Sequence, residues 1–201
     1  MVQEMAALGF KRIELSHGIK ICLVPGILQA VEEQLIEISS VHNFCPLPSS
    51  VQHAAPNLYQ PSAVDQRELN LWDRYTLQTL DFAVRVGAPH VVMHSGSTWF
   101  FLTSPERKLD KWIDESELET IELAEDAGFL KQRKRAMKRI KSASRKAMQR
   151  INSSYERILP LAKERGLKLC LENREGMEEM PIDSEYPEFL AALPEPEHVG
   201  Y

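Results

Sequence analysis

The sequence predicts an α/β protein built on a parallel sheet, and three kinds of observation lead to this prediction. Short apolar runs, which favour strands, alternate along the chain with longer segments that have the periodicity of helices. A glycine stands between a predicted helix and the next predicted strand at three places. Each predicted strand is followed by polar residues. Because parallel neighbours require a crossover connection, which a helix supplies, strict alternation favours a parallel sheet.

Four runs rich in branched apolar residues are the predicted strands. They cover residues 12–16 (RIELS), 35–41 (LIEISSV), 91–93 (VVM) and 167–171 (LKLCL). The segments with helical periodicity cover residues 3–8, 27–34, 69–86 and about 106–165. Gly9, Gly87 and Gly166 follow three of these helices. Glycine readily takes the left-handed conformation that ends a helix, so these positions agree with the predicted boundaries.

Composition narrows the class of protein. The chain has 201 residues, 43% of them hydrophobic and 26% charged, which is typical of a globular domain. Its net charge of -5 gives no overall reason to expect nucleic acid, so a small-molecule partner is favoured. The three cysteines form no C-x-x-C pair, which argues against a disulfide framework or a zinc knuckle. No apolar run reaches membrane-spanning length, so we expect no membrane partner and a cytoplasmic location.

Polar residues with metal-binding potential follow all four predicted strands. They are His17, His42, His94 and Glu172. In parallel α/β sheets ligands bind at the carboxyl ends of the strands, where these side chains would lie. Divalent metals are bound by such mixtures of imidazole and carboxylate groups, so the sequence favours metal-assisted chemistry. His17 is the weakest candidate, because the two residues after it could simply form a turn.

Three segments resemble the xylose isomerase-like superfamily of TIM barrels. These segments are 9–15 (GFKRIEL), 69–96 (LNLWDRYTLQTLDFAVRVGAPHVVMHSG) and 166–176 (GLKLCLENREG). The superfamily includes sugar phosphate isomerases and epimerases, and endonucleases of the endonuclease IV type (AP endonuclease family 2). The resemblance implies a partial (β/α)8 barrel with parallel strands 2 to 5 and their helices, lacking strand 1 and strands 6 to 8. Residues 1–201 would form this single incomplete domain, with a charged helical insertion at about 106–150.

The same resemblance implies a metal-dependent isomerase or epimerase acting on a small sugar or sugar-like polyol. Glu172 matches a glutamate that binds the metal and moves a proton in the epimerases. His94 matches a histidine that binds metal in the endonuclease branch and hydrogen-bonds the sugar in the isomerase branch. The metal would be a divalent ion such as Mn, Mg, Co or Zn. The relatives carry further metal ligands on later strands, so we expect weak metal binding and an inactive fragment.

Other residues are candidates for substrate binding. Glu178 matches a glutamate that contacts the sugar in ketose epimerases, although a solvated loop charge is an equal alternative. Asn173 and Arg174 would position Glu172 or bind an anionic substrate, since arginine suits bidentate contacts. His42 is the fourth candidate. Residues 43–61 form a connection too long for a routine loop, which indicates a lid or a wall of the substrate site.

Two alternatives to the isomerase remain open. One is an endonuclease IV-like, metal-dependent phosphodiesterase, and the other is a non-catalytic half-barrel that needs a partner chain. Unpaired sheet edges would also favour self-association. An acidic segment, 114–126, precedes a basic segment, 131–150. We expect the two segments to pair as a helical hairpin that turns at Gly128, and we favour this over a nucleic-acid patch.

Overall fold

The computed structural model describes residues 2–116, 118–172 and 176–200, and it contains one parallel sheet. The strands lie side by side in chain order, and every neighbouring pair is parallel. They are β1 (Arg12–Leu15), β2 (Glu37–His42), β3 (His90–His94), β4 (Lys168–Glu172) and β5 (Val199–Gly200). The α/β class and the parallel sheet are therefore confirmed. The four predicted strands are all present, and the two-residue β5 adds a further strand beside β4.

Helices connect the strands as the alternating pattern predicts. They are α1 (Val2–Ala7), α2 (Val24–Glu32), α3 (Gln66–Arg85), α4 (Pro105–Ser116), α5 (Thr120–Leu123), α6 (Ala127–Glu164) and α7 (Tyr186–Ala192). Short 3-10 turns occur at Ile21–Leu23, Asp183–Glu185 and Pro196–His198. Within the described part of the chain, none of these helices combines the length and the apolar character needed to cross a membrane.

The core lies between the sheet and the two long helices, α3 and α6. Alternate strand residues such as Val91, Met93 and Leu169 are completely buried. Helix α6 buries residues at helical spacing, and α3 contributes Trp72 and Leu80. The α6 residues that lie on this face include Ile140, Ile151, Tyr155, Ile158 and Ala162. This apolar stripe, recurring every three or four residues, fixes which side of α6 faces the sheet.

The charged segments are arranged differently from the predicted hairpin. Gly128 lies in the first turn of α6, which begins after the N-cap Asp126, so the turn precedes Gly128. Helices α4 and α6 meet through the rings of Trp112 and Phe129, whose centroids are 6.4 Å apart. Among the described residues, no ion pair joins segment 114–126 to segment 131–150. The predicted charge pairing is therefore not found, because aromatic packing makes the contact between the two helices.

Gly166 ends α6 in the left-handed region, with φ of +69°, and open space surrounds the position of an added Cβ. We expect Gly166→Ala to lower the free energy of unfolding by about 1–2 kcal/mol, because only the backbone conformation opposes the side chain. Urea denaturation measures this change. Gly26→Ala is the matched control, since Gly26 lies inside α2 with equal space and ordinary φ. A loss of stability in Gly26→Ala as large as that in Gly166→Ala would contradict the explanation.

Candidate metal centre

Three histidines meet at the carboxyl ends of the first three strands. His42 and His94 are the last residues of β2 and β3, and His17 lies two residues beyond β1. The ring centroid of His42 is 4.7 Å from that of His17 and 4.8 Å from that of His94. One ligand atom from each histidine lies within 4.8 Å of the other two, so the three imidazoles could hold a metal ion.

Glu172 adds a carboxylate to this cluster. It ends β4, and the sheet register places it directly opposite His94 on β3. Its Oε1 lies 2.9 Å from His94 Nε2, and its Oε2 lies 3.5 Å from His42 Nε2. The Glu172 side chain is 41% exposed, whereas the side chains of His42 and His94 are each 8% exposed. The carboxylate therefore stands at the opening of the cluster, and these two imidazoles lie beneath it.

The second ring nitrogens of two histidines are held by oxygen acceptors. His42 Nδ1 lies 3.3 Å from the backbone oxygen of Asn43, and His94 Nδ1 lies 3.1 Å from Asn57 Oδ1. An imidazole that donates from Nδ1 carries its lone pair on Nε2, which here faces Glu172. His94 Nε2 and Glu172 Oε1, 2.9 Å apart, are close enough to share a proton or to bind the same metal ion. The donor arrangement therefore fits a proton or a metal ion at this point.

The chemistry of the donor set favours a transition metal. Neutral imidazole nitrogens bind Zn, Fe, Co and Ni, and carboxylates bind Mg, Ca and Mn. Three histidines with one carboxylate combine the two kinds of ligand.

The backbone of Glu172 is fixed by α7. The hydroxyl of Tyr186 donates a hydrogen bond to the Glu172 carbonyl oxygen at 3.1 Å. The same hydroxyl lies 3.3 Å from Ser95 Oγ, one residue beyond β3. Helix α7 thus connects the ends of β3 and β4 and keeps the His94–Glu172 contact in place.

A small cavity beside His94 and Glu172 is walled by the three loops that follow β2, β3 and β4. Its lining includes Asn57, Gln60, Ser95, Gly96, Ser97, Glu179 and Met180. Gln60 Oε1 accepts hydrogen bonds from Ser97 Oγ at 2.6 Å and from Ser62 Oγ at 3.2 Å, which ties the long loop to the end of β3. An added Cβ at Gly96, where φ is +103°, would lie 3.0 Å from Ser62 Oγ. The long connection after β2 therefore forms a wall of the candidate site.

The structure does not bring Glu178 to this cluster. Its Oε1 accepts hydrogen bonds from Ser104 Oγ at 2.6 Å and from the Glu106 backbone N–H at 3.0 Å, at the amino end of α4. Glu106 in turn accepts from the backbone N–H of Met177 at 3.0 Å. The neighbouring residue, Glu179, is the one that lines the cavity. Whether Glu178 contacts a sugar stays a prediction.

Asn173 and Arg174 lie outside the described residues, so their predicted roles stay predictions. Three residues of the site, His17, Asn57 and Glu179, are weakly predicted or not predicted from the sequence. His17 carried the same signal as His42 and His94, namely an imidazole after a strand. Asn57 and Glu179 carried no such signal, because each reaches the site from a loop.

No protein-family model matches the chain, and no curated protein matches it. Several solved structures, by contrast, match it in fold. A D-tagatose 3-epimerase-like protein superposes with a TM-score of 0.60 at 14% identity, over 95% of this chain and 55% of that chain. D-psicose 3-epimerase with D-tagatose, from Clostridium cellulolyticum H10, gives a TM-score of 0.56 at 13% identity, over 98% and 54%. D-allulose 3-epimerase from Methylomonas sp., in complex with D-allulose, superposes with a TM-score of 0.58 at 14% identity, over 98% of this chain and 53% of that chain.

The identities are low, so these likenesses concern the fold. The chain spans about half the length of each structure, and the aligned part covers nearly all of this chain. The predicted partial TIM barrel is thereby confirmed. The described chain has the fold of part of a (β/α)8 barrel, as in the three epimerase structures.

Proposed function

We propose that this chain is part of a metal-dependent isomerase or epimerase acting on a small sugar or sugar-like polyol. The observation that carries the proposal is the contact of the Glu172 carboxylate with the imidazoles of His42 and His94, which cluster with that of His17 at the mouth of a barrel of epimerase fold. Two of the structurally similar epimerases were crystallised with D-tagatose and with D-allulose. A ketose of that size is therefore the substrate class to test first.

His17, His42, His94 and Glu172 would hold one divalent ion. Because three of the four donors are imidazole nitrogens, we expect Zn or Co to bind more tightly than Mn or Mg. A metal ion bound there would act as a Lewis acid on the carbonyl oxygen of the sugar. The oxygen contacts of His42 Nδ1 and His94 Nδ1 would keep both rings oriented toward that ion.

Glu172 is the residue we assign to proton transfer. Its carboxylate is the more exposed partner in its contacts with His42 and His94, so it can reach a bound sugar. A carboxylate next to a polarised carbonyl group can accept the proton from the adjacent carbon. The cavity itself, with a volume of about 10 Å³, admits no more than one water molecule, so a sugar would bind at its mouth, beside Glu179 and Gln60. The long loop after β2 would limit the access of water to the same cavity.

Proton exchange in D2O tests this function. The full chain, loaded in turn with Zn, Mn, Co or Mg, is incubated with D-allulose, D-tagatose and D-fructose, and deuterium at the carbons next to the carbonyl is followed by NMR. The sequence alone predicts an inactive fragment, but His17 and His42 lie beside His94 and Glu172, so enough donors are present to hold an ion. We therefore expect incorporation with at least one metal and one ketose, and none after chelation. Metal-loaded chain that exchanges no proton on any of these sugars would contradict the proposal. Hydrolysis of a phosphodiester by the same sample would favour the endonuclease-type alternative.

Asn57 is expected to support the metal through His94. Asn57→Leu removes the acceptor of the 3.1 Å contact with His94 Nδ1. Loss of such a supporting contact typically lowers metal affinity by roughly 10- to 100-fold, and we expect a change of that size here. Competition with a chromogenic chelator measures it. Asn70→Leu is the matched control, since Asn70 lies on α3 and is hydrogen-bonded to Gln66. Equal losses in both variants would contradict the role of Asn57.

A further inference from the structure

The amino-terminal half of α6 presents cations that no carboxylate neutralises among the described residues. Lys138, Arg139 and Lys146 are exposed, and no ion pair involves any basic side chain of segment 131–150. The end of the same helix differs. Arg157 pairs with Asp73 at 3.0 Å, and Lys163 pairs with Glu195 at 2.6 Å. An ordinary solvated helix would show a similar mixture along its length, so the difference marks segment 131–150 as a candidate binding surface.

These cations form one wall of a groove whose other wall is aromatic. Lys138, Arg139, Lys146 and Arg150 line the groove on the α6 side, and Val64, Trp99 and Phe100 line it on the opposite side. Trp99 is 62% exposed, which is unusual for so large an apolar ring. We call this surface the α6 groove.

The aromatic wall is fastened to α6. The guanidinium of Arg139 lies 5.6 Å from the centroid of the Phe100 ring, and it donates a hydrogen bond to the Thr103 carbonyl oxygen at 3.1 Å. Trp99 also packs edge-on against Phe101, with the ring centroids 5.8 Å apart. The Arg139 contacts thus hold the backbone next to Trp99 against α6 and leave the Trp99 ring exposed.

The cationic wall is long. Lys138 and Arg150 are separated by twelve residues of continuous helix, which corresponds to roughly 18 Å along the axis. Lys146 lies between them, and the hydroxyl of Ser142 adds a polar contact. A row of this length exceeds what the phosphate group of a single nucleotide can contact, so it favours a polymer with repeated negative charge.

We propose that the α6 groove binds single-stranded nucleic acid. Phosphates would lie along Lys138, Lys146 and Arg150, and a base would stack on the face of Trp99. A cationic groove combined with an exposed aromatic ring is the combination that binds single strands without strong sequence preference. The net charge of -5 does not oppose this, because binding depends on the local cationic surface. A lipid surface is the less suitable occupant, since the cations line a concave groove.

The α6 groove is independent of the proposed sugar chemistry. Its wall residues Val64 and Trp99 also line a neighbouring cavity, which shares Gln60 and Ser97 with the cavity at His94 and Glu172. The groove therefore opens beside the candidate metal centre. Binding to it requires none of the metal ligands, so it can be measured with the metal removed.

Fluorescence anisotropy of a labelled twelve-nucleotide oligo(dT) tests the proposal, using the full chain in chelator. We expect saturable binding that weakens as salt is added. A plot of the logarithm of the association constant against the logarithm of the salt concentration should have a slope of about −2 to −3, the value for three or four phosphate contacts on a single strand. Lys138→Glu combined with Lys146→Glu should abolish the binding. Trp99→Ala should weaken it by roughly 5- to 100-fold, the expected effect of losing one stacked base.

Lys11→Glu combined with Lys168→Glu is the matched control, because both lysines are exposed at the amino ends of strands, away from the groove. This control should bind oligo(dT) with less than a threefold change. Circular dichroism of all variants excludes unfolding as the cause. No binding by the wild-type chain, equal losses in groove and control variants, or full competition by thymidine monophosphate would each overturn the proposal. Binding to phosphatidylserine vesicles without binding to oligo(dT) would also overturn it.

Discussion

Glu172→Gln is expected to lower the rate of metal-dependent proton exchange on a ketose by about 10³-fold or more. The amide keeps the size of the side chain but cannot accept the proton at neutral pH, and general acid–base catalysis by one group contributes about 10²- to 10⁴-fold. The backbone contact with Tyr186 is retained, since it uses the Glu172 carbonyl oxygen. Deuterium exchange at saturating metal and sugar measures the rate, and calorimetry of metal binding shows separately how much metal affinity is lost.

Glu37→Gln is the control for this change. Glu37 is the first residue of β2, at the opposite end of the sheet, where its carboxylate is 69% exposed and pairs with Arg12 at 2.7 Å. The same carboxylate-to-amide change there should leave proton exchange within about twofold, because a surface ion pair contributes little to stability. Proton exchange in Glu172→Gln at the wild-type rate would remove Glu172 from the chemistry.

His94→Ala is expected to lower the affinity for a divalent ion by more than about 100-fold. This exceeds the loss expected when a residue that only supports a ligand, such as Asn57, is replaced. The substitution removes one of three imidazole donors and also the nearest contact of the Glu172 carboxylate, at 2.9 Å. Because His94 is buried, its loss also leaves a cavity, so thermal denaturation must accompany the metal titration.

His90→Ala provides the matched control on the same strand. His90 begins β3, and its Nδ1 lies 3.3 Å from the Ser39 carbonyl oxygen, away from the metal centre. We expect His90→Ala to change stability and to leave metal affinity unaltered. A loss of metal affinity in both variants would show that β3 was disrupted, and an unchanged affinity in His94→Ala would contradict its role as a ligand.

The elements of the fold were predictable because local chemistry dictates them. Branched residues between helical segments predicted four strands within two residues of their observed ends, and Gly87 and Gly166 do adopt positive φ. The strand β5 was not predicted, since two residues carry no periodicity. The prediction of a charge-paired hairpin was wrong, because the pattern of charges does not predict the Trp112–Phe129 ring contact that joins α4 and α6.

The candidate site was predictable only where it follows from sheet geometry. Parallel strands bring their carboxyl ends together, so His42, His94 and Glu172 could be placed at one mouth from the sequence. His17 also follows a predicted strand, but Gly18 and Ile19 after it could form a simple turn, so the sequence favours it less as a ligand. Asn57 and Glu179 reach the site from loops, and loop paths depend on tertiary contacts such as the hydrogen bond from Ser97 to Gln60. No periodicity in the sequence reports such contacts.

We propose that three histidines and Glu172 hold one divalent ion. Elemental analysis by mass spectrometry, on the purified chain dialysed after incubation with Zn, Mn or Co, tests it most directly when wild type and His94→Ala are compared. We predict one ion per wild-type chain and a strongly reduced content in the variant. No retained metal in the wild type, or the same content in both proteins, would contradict the claim, and two or more zinc ions per chain would favour a phosphodiesterase centre.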